Sequence, residues 1–208
     1  MTPAAAMARG LRELALALPV GATEQLFAYL ALLQKWNRTY NLTAIRDPVS
    51  MVSHHLLDSL AVLRELPPGA LADIGAGAGL PGIPIAIAEP QRAVTLNEAN
   101  EKKSAFLRQA AIELKLANLR VHAGRVEHWR PDPAFEVVIC RGFATLADFV
   151  AACGHLVSPS GVLVAMKGVY PEDELARLST GCDCSDVRRL RVPLLDAERH
   201  LVFCRRSA

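Results

Sequence analysis

The sequence predicts an α/β protein with a doubly wound, Rossmann-like sheet that is mostly parallel, ends in an antiparallel pair of strands and is preceded by N-terminal helices. Three observations support this fold class. Apolar residues before Pro67 recur every three or four positions, as in amphipathic helices. After Gly69, short β-rich runs alternate with segments long enough for crossover helices. A glycine-rich loop follows the first of these runs, in the context that gives such loops a binding role.

Residues 1–66 are expected to contain only helices and loops. Two series of apolar residues repeat at helical spacing there: Leu26, Leu30, Leu33, Trp36 and Tyr40, then Val52, Leu56, Leu60 and Leu63. Near the N-terminus, Arg9, Arg12 and Glu13 lie where a signal peptide would need an apolar core. We therefore expect a cytoplasmic protein in which residues 1–66 pack as a helical extension on one compact domain, residues 67–208.

The remaining chain is expected to supply the sheet. Five β-rich runs should be parallel strands: LADIG (71–75), AVTLNE (93–98), LRVHAG (119–124), EVVICR (136–141) and GVLVAMKG (161–168). Two later runs, LRVPLL (190–195) and HLVFCR (200–205), are joined only by the short segment from Asp196 to Arg199. Because parallel strands need long connections, these two runs are predicted to finish the sheet as an antiparallel pair.

Composition excludes several classes of protein. The chain has 208 residues and a net charge of +2, and it lacks the roughly 18 consecutive apolar residues of a membrane span. Its five cysteines are an odd number and are scattered apart from Cys182 and Cys184, which predicts reduced thiols and no metal site. The small net charge excludes a strongly basic protein, yet the arginine-rich stretch from Arg188 to Arg206 could still bind phosphate.

The loop from Gly75 to Gly79 would let a ligand approach bare backbone at a helix N-terminus. Residues 77–82 also satisfy GxGxxG, which is a weak indication of a dinucleotide when it stands alone. Asp73 favours another ligand, because a carboxylate beside the loop repels a pyrophosphate but attracts an ammonium or a sulfonium group. S-adenosylmethionine carries both cations. A nicotinamide-dependent oxidoreductase remains a weaker alternative.

Two further acidic positions fit a nucleoside. Glu98, at the end of the second run, lies nineteen residues after Gly79, where such folds place a carboxylate for ribose hydroxyls. Nicotinamide enzymes share this feature, so it indicates a ribose without naming the cofactor. After the third run, Val126 and Glu127 could contact an adenine edge with backbone and carboxylate.

The residues at the end of the fourth run limit which kinds of atom could accept a methyl group. Adenine and cytosine N-methyltransferases carry an Asn/Asp-Pro-Pro-aromatic clamp there, whereas this chain has the residues CRGF (140–143). Cys140 lacks the adjacent proline of a C5-methyltransferase nucleophile and is predicted to be a buried apolar residue. An acceptor that is already nucleophilic remains, and guanine N7 is one, because its lone pair carries no proton. No catalytic base is therefore identified, and Arg141 would position the cofactor carboxylate or the base.

Several blocks together resemble the bacterial small-subunit ribosomal RNA guanine N7-methyltransferases, also called the glucose-inhibited division protein B family. They are KWNRTYNLTAIRDP (35–48), HLLDSL (55–60), DIGAGAGLPGIPIAI (73–87), KKSAFLRQ (102–109), RVE (125–127), MKG (166–168) and ERHLV (198–202). The resemblance extends from about Leu26 to Phe203. The first two blocks and ERHLV are peculiar to this family, so the assignment does not depend on the glycine loop.

The resemblance implies a class I methyltransferase that uses S-adenosylmethionine, leaves S-adenosylhomocysteine, and modifies one loop guanine, position 527, of 16S ribosomal RNA. The partner that it implies is that RNA or the small ribosomal subunit, and we expect the protein to be a monomer. The cofactor-binding residues expected from the resemblance and from the residues themselves are Asp73, Gly75, Gly77, Leu80, Glu98, Val126, Glu127 and Arg141. The basic residues expected to contact RNA phosphates or bases are Lys102, Lys103, Lys167 and Arg199.

Four polar residues of these blocks, Asn41, His55, Asp58 and Ser59, show no evident chemistry in the sequence. They are expected to cap helices and to lock the N-terminal section onto the sheet. A non-catalytic ribosome assembly factor that retains the cofactor pocket also remains open, since N7 methylation needs no diagnostic catalytic residue.

Overall fold

The computed structural model describes residues 1–143, 145–178 and 181–206. Its sheet has seven strands: β1 Leu71–Ile74, β2 Val94–Glu98, β3 Leu119–Ala123, β4 Phe135–Arg141, β5 Val157–Lys167, β6 Cys182–Leu190 and β7 Arg199–Arg206. Their order is β3-β2-β1-β4-β5-β7-β6. The first five strands are parallel, and β7 is antiparallel to both β5 and β6. The predicted fold class, with its antiparallel C-terminal strands, is confirmed.

The register of the central strands aligns their carboxyl ends. Ile74 at the end of β1 is level with Asn97 in β2 and with Cys140 in β4. The next residues along these three strands are Gly75, Glu98 and Arg141. The order of the strands reverses direction between β1 and β4, and this is where open α/β sheets bind their ligands.

One predicted strand was wrong in its position. The run LRVPLL is not a strand: β6 ends at Leu190, and the preceding segment CDCSDVRRL forms it instead. Pro193 has no N–H for a sheet ladder, and Leu194 adopts a positive φ of 61°. The apolar side chains of this run pack on the core from a loop, with Val192 buried.

Helices cover the sheet and form the N-terminal section. They are α1 Pro3–Glu13, α2 Ala22–Tyr40, α3 Pro48–Met51, α4 Asp58–Leu60, α5 Gly82–Ala88, α6 Glu101–Glu113, α7 Leu146–Cys153 and α8 Glu172–Ala176. Between α3 and α4 the chain remains helical but is π-helical over Val52–Leu57. Short 3₁₀ turns occupy Val126–His128 and Gly154–Leu156. Among the described residues, no helix combines the length and the apolar character needed to cross a membrane.

The N-terminal helices and the sheet share one hydrophobic core. Leu26 and Leu33 of α2 and Leu57 of the π-helical turn are fully buried in the same cluster as Ile83 and Leu96. Each such side chain contributes roughly 1.5–3 kcal/mol of transfer free energy. The N-terminal section is thus held on the sheet by apolar burial.

Two cysteines are paired, contrary to the expectation of reduced thiols. Cys184 in β6 and Cys204 in β7 form a disulfide, with their Cα atoms 4.1 Å apart. They face each other across a register shift between the two antiparallel strands, a proximity that their separation of 20 residues does not reveal. Cys140, as predicted, is buried in the apolar core.

Candidate functional site

The glycine loop begins directly after β1. Its first residue, Gly75, is level with Arg141, the last residue of β4. Gly75, Gly77 and Gly79 have φ angles of 66°, 57° and 85°, a region that favours glycine. A Cβ built on Gly75 would meet no atom within 4 Å. The loop therefore exposes backbone to open space, as a ligand-binding loop must.

Asp73 lies beneath this loop and is fully buried. Its Oδ2 accepts a hydrogen bond of 2.8 Å from the Gly82 amide, whereas its Oδ1 has no partner among the described residues. Burial raises the pKa of Asp73 to about 7, although the Gly82 hydrogen bond and the Arg141 charge oppose the shift. A buried carboxylate with one unsatisfied oxygen would be stabilised by a cationic or hydrogen-bond-donating ligand, as the sequence suggested.

Gly82, the first residue of α5, permits this arrangement. A Cβ at Gly82 would overlap Leu96 Cδ2 and would lie 2.8 Å from Asp73 Oδ2. Only glycine lets the start of the helix come close enough to donate its amide to the carboxylate. The fingerprint's last glycine thus serves helix–strand packing.

Glu98 ties the glycine loop to β2. Its Oε2 accepts a hydrogen bond of 2.9 Å from the Gly77 amide and its Oε1 accepts one of 2.8 Å from Asn100. Each carboxylate oxygen has two acceptor sites, so both oxygens can accept a further bond from a ribose hydroxyl. Glu98 is buried beside the loop, and its role toward a ribose stays a prediction.

The other predicted cofactor residues differ in exposure. Val126 is buried at the start of the 3₁₀ turn, and Glu127 is exposed with an ion pair of 3.3 Å to Arg125. The chain enters this turn from Gly124, whose amide donates to the Glu98 carbonyl, so the turn lies beside the end of β2. Leu80 is buried within the apolar core beneath the loop.

A second feature is a cavity of about 420 Å³ between the N-terminal section, the carboxyl ends of β4 and β5 and the start of β7. Its lining includes six titratable side chains from separate parts of the chain: His54, His55, Asp58, Arg141, Lys167 and Arg199. We call it the cationic cavity, after Arg141, Lys167 and Arg199. Lys102 and Lys103 lie at the start of α6 and do not line this cavity. The structure thus brings two of the four predicted RNA-binding residues together with Arg141.

Asp58 organises two of the cavity's cations. Its Oδ2 accepts a hydrogen bond of 3.1 Å from Arg141 Nη1, and its Oδ1 accepts one of 2.7 Å from Arg199 Nε. Arg141 Nη1 also donates to the His54 carbonyl. No hydrogen bond among the described residues uses Nη2 of either arginine, so both guanidinium groups keep donors for an anion.

A π-helical turn precedes Asp58 in the chain. It widens the helix between α3 and α4 by one residue per turn, immediately before Asp58. On the same turn, His55 Nε2 is 2.9 Å from Thr43 Oγ1. Burial, with help from the Arg141 charge, lowers the pKa of His55 to about 4, so this imidazole is neutral at pH 7.

Lys167 is paired in the structure. Its Nζ lies 2.8 Å and 2.9 Å from the two carboxylate oxygens of Glu174 in α8. Glu174 Oε2 also accepts a hydrogen bond from the Leu146 amide. An RNA phosphate would have to compete with Glu174 for Lys167.

Sequence patterns did not single out Tyr29. Its hydroxyl, fully buried, donates a 2.7 Å hydrogen bond to the Ala78 carbonyl in the glycine loop. The N-terminal helix α2 therefore fixes the conformation of the loop directly. Tyr29 was not among the residues predicted to lie at helical spacing, and nothing local indicated its partner 49 positions away.

The cysteines form one further cluster. The sulfurs of Cys182, Cys184 and Cys204 lie within 4.8 Å of one another. Among the described residues, this is the one group of three or more His, Cys, Asp or Glu side chains that are close enough to hold a metal ion. Two of these sulfurs are joined in the disulfide and offer no thiolate to a metal. At β4, burial raises the pKa of the Cys140 thiol, which argues against a nucleophilic role.

Comparison with known proteins decides the family. A sequence model of the GidB family, described as rRNA small subunit methyltransferase G, matches residues 22–202. The chain belongs to this family. The ribosomal RNA small subunit methyltransferase G of Methylobacillus flagellatus is 51% identical over 93% of this chain and 94% of its own length. The protein of the same name from Aromatoleum aromaticum is 52% identical over 98% and 99%.

Solved structures share the GidB-family fold at low sequence identity. The DhpI–SAH complex superposes with a TM-score of 0.58 at 17% identity, covering 89% of this chain and 97% of DhpI. A SAM-dependent methyltransferase from Aquifex aeolicus gives a TM-score of 0.55 at 18% identity, covering 76% and 93%. The fold of this GidB-family chain is therefore that of class I methyltransferases.

Proposed function

We propose that this protein transfers the methyl group of S-adenosylmethionine to N7 of a guanine in 16S ribosomal RNA, leaving S-adenosylhomocysteine. The family membership supports the reaction class. The observation that carries the proposal is the position of Arg141: it ends β4 beside the glycine loop and also lines the cationic cavity. A cofactor site and a site for an anionic substrate thus meet at one residue.

The residues at the glycine loop fit S-adenosylmethionine. Asp73 Oδ1 is a buried oxygen without a partner, and a cation would compensate it. Glu98 retains acceptor sites for ribose hydroxyls. Val126 and Glu127 begin the 3₁₀ turn that follows the neighbouring strand β3, where they would contact the adenine. Gly75 and Gly77 keep the approach open, and Leu80 would close the apolar side. When bound, the cofactor supplies an electrophilic methyl group.

The cavity residues would hold and orient the RNA. Arg141 and Arg199 have free Nη2 donors, and Lys167 can exchange Glu174 for a phosphate. Guanine N7 has no proton to lose, so the reaction needs no general base, and proximity alone can contribute on the order of 7–11 kcal/mol. The neutral His55 would then help to shape the cavity rather than to move a proton.

The substrate is proposed to be a guanine in a loop, because a base outside a helix enters a pocket at the least energetic cost. We propose 16S RNA or the small ribosomal subunit as the partner, with the protein acting as a monomer in the cytoplasm. Lys102 and Lys103, at the start of α6, would contact RNA outside the cavity. Residues 1–66 would act as an extension of the methyltransferase domain, since they share its core.

The test is methyl transfer to small subunits that lack this modification. The protein is incubated with S-adenosylmethionine carrying a radiolabelled methyl group, and the RNA is then cleaved chemically at N7-methylguanine. One labelled break in a 16S loop is the expected result. The Asp73→Asn variant serves as a control for a damaged cofactor site.

Other outcomes separate the alternatives. Transfer of label without such a break would retain the methyltransferase and contradict the N7 assignment. Cofactor binding without any transfer to RNA or subunits would favour an assembly factor that keeps the pocket. Tight binding of NADH would favour the alternative of a nicotinamide-dependent oxidoreductase.

A further inference from the structure

Val169 and Tyr170 form a small exposed apolar patch beside the cationic cavity. Their exposed fractions are 70% and 53%, and they are the only two consecutive residues among the exposed large hydrophobic residues of the described chain. They directly follow Gly168, which lines the cavity, in the segment between β5 and α8. The patch therefore adjoins the cavity.

Buried structure orients the Tyr170 ring. It packs at 87° against the ring of His200, with 5.7 Å between the ring centroids. His200 is itself buried, lies opposite Lys167 in the β5–β7 pairing and directly follows Arg199. The buried His200 thus holds the aromatic ring at the β5–β7 pair, on the face of the sheet that Lys167 shares, whereas Arg199 faces the other side.

Stabilisation of the fold does not account for Tyr170. More than half of the residue faces solvent, and its hydroxyl makes no hydrogen bond to any described residue. An exposed, oriented aromatic ring beside lysine and arginine side chains is the arrangement with which proteins bind single-stranded nucleic acid, since bases stack on the ring while the cations neutralise the backbone. Two residues form too small an apolar patch for a typical hydrophobic protein interface, which favours RNA over a protein partner.

We propose that Tyr170 is a stacking platform for an unpaired RNA base that neighbours the target guanine. Val169 would border the same base. This inference rests on the proposed function, because it assigns a further contact to the same RNA substrate. Tyr170 would therefore act in substrate affinity and positioning, and not in cofactor binding or chemistry.

The test compares Tyr170→Ala and Tyr170→Phe with the wild-type protein. Phenylalanine keeps the stacking face and removes only the hydroxyl. Ile112→Ala is the matched control, since Ile112 is 71% exposed near the carboxyl end of α6, away from the ligand edge of the sheet. Affinities for unmodified small subunits and for naked 16S RNA are measured by filter binding, alongside kcat, KM and S-adenosylmethionine affinity.

We expect Tyr170→Ala to weaken binding of subunits and of naked RNA about tenfold, as the loss of one base–aromatic stack would. Tyr170→Phe and Ile112→Ala should remain within about twofold of wild type, and S-adenosylmethionine affinity should not change. Unchanged RNA affinity in Tyr170→Ala would overturn the proposal. So would an equal loss in Tyr170→Phe, because the hydroxyl would then be the contact. A loss with subunits but not with naked RNA would indicate a ribosomal protein instead.

The two proposals can fail separately. Methyl transfer by the wild-type protein tests the proposed function, whereas the comparison of Tyr170 variants uses binding alone. If the wild type binds RNA without methylating it, the binding series still decides the role of Tyr170. If the wild type binds neither subunits nor RNA, the stacking proposal is contradicted as well.

Discussion

Asp58 holds Arg141 and Arg199 at the same cavity wall, although the two arginines lie 83 and 141 positions away from it in the chain. The carboxylate is almost completely buried, whereas the side chains of Arg141 and Arg199 are 28% and 22% exposed. One buried acid thus orients two cations that remain open to a ligand. The relationship links the N-terminal section to the end of β4 and the start of β7.

Replacing Asp58 by asparagine should disorder both guanidinium groups. Removing one partner of a fully buried ion pair costs about 3–5 kcal/mol. We expect a smaller loss of unfolding free energy here, about 1–3 kcal/mol, because both arginines can reach water. KM for small subunits should rise more than S-adenosylmethionine affinity falls. Urea unfolding and steady-state methyl transfer measure these effects.

The matched control is Glu198→Gln, which removes the exposed partner of Arg189. Exposed pairs contribute at most about 1 kcal/mol, so this variant should resemble wild type. Equal effects of the two substitutions would mean that Asp58 has no special positioning role.

The affinity for S-adenosylmethionine should depend on pH through Asp73. Its pKa is about 7 in the free protein, and a cationic ligand binds the ionised form better. Affinity should therefore increase about tenfold between pH 6 and pH 8, as the ionised fraction rises. Calorimetric titration across this range measures the change. Asp73→Asn should bind weakly with little pH dependence; a pH profile as steep as wild type in this variant would assign the titration to another group.

Stability without ligand should show the opposite trend. Because the folded-state pKa of Asp73 is raised above 3.8, the folded protein holds its proton more strongly than the unfolded chain does. Asp73 therefore favours folding most below about pH 4, and that advantage is lost as pH rises through about 7. The free energy of unfolding of wild type, minus that of Asp73→Asn, should decrease from pH 5 to pH 8. A constant difference over that range would contradict the raised pKa.

Tyr29→Phe should loosen the glycine loop. The substitution keeps the buried ring but leaves the Ala78 carbonyl without its 2.7 Å hydrogen bond. An unsatisfied buried acceptor costs about 1–3 kcal/mol, so we expect lower stability and S-adenosylmethionine affinity reduced several-fold. Tyr40→Phe is the control, since Tyr40 is 39% exposed and its hydroxyl bonds to no described residue. The role assigned to Tyr29 fails if both variants bind the cofactor as wild type does.

Gly82→Ala should damage the site by overpacking. The added methyl group would overlap Leu96 and crowd Asp73 Oδ2, which displaces α5 from the carboxylate. We expect a loss of about 1–3 kcal/mol in stability together with weaker cofactor binding. Gly154→Ala, where a Cβ meets no atom within 4 Å, should retain both properties. Thermal unfolding with and without S-adenosylmethionine distinguishes these outcomes, and wild-type behaviour of Gly82→Ala would show that the helix can move freely.

Local patterns were sufficient for most of the architecture. The alternation of apolar runs located five parallel strands, because period-2 and period-3.6 patterns record which face of an element is buried. The position of β6 was not predictable in this way. The strand β6 lies at the edge of the sheet and its sequence, CDCSDVRRL, contains four charged residues. The more apolar run LRVPLL packs as a loop.

The sequence by itself determined the fold class, the glycine loop and the acidic residues near the carboxyl ends of β1 and β2, because a carboxyl strand end and a helix start are local features. Only the tertiary structure decided that Asp58 joins Arg141 to Arg199, that Tyr29 fixes Ala78, and that Lys102 and Lys103 lie outside the cavity. These contacts are set by the packing of elements far apart in the chain. A side chain's periodicity shows that it is buried, but only the folded chain shows against which partner.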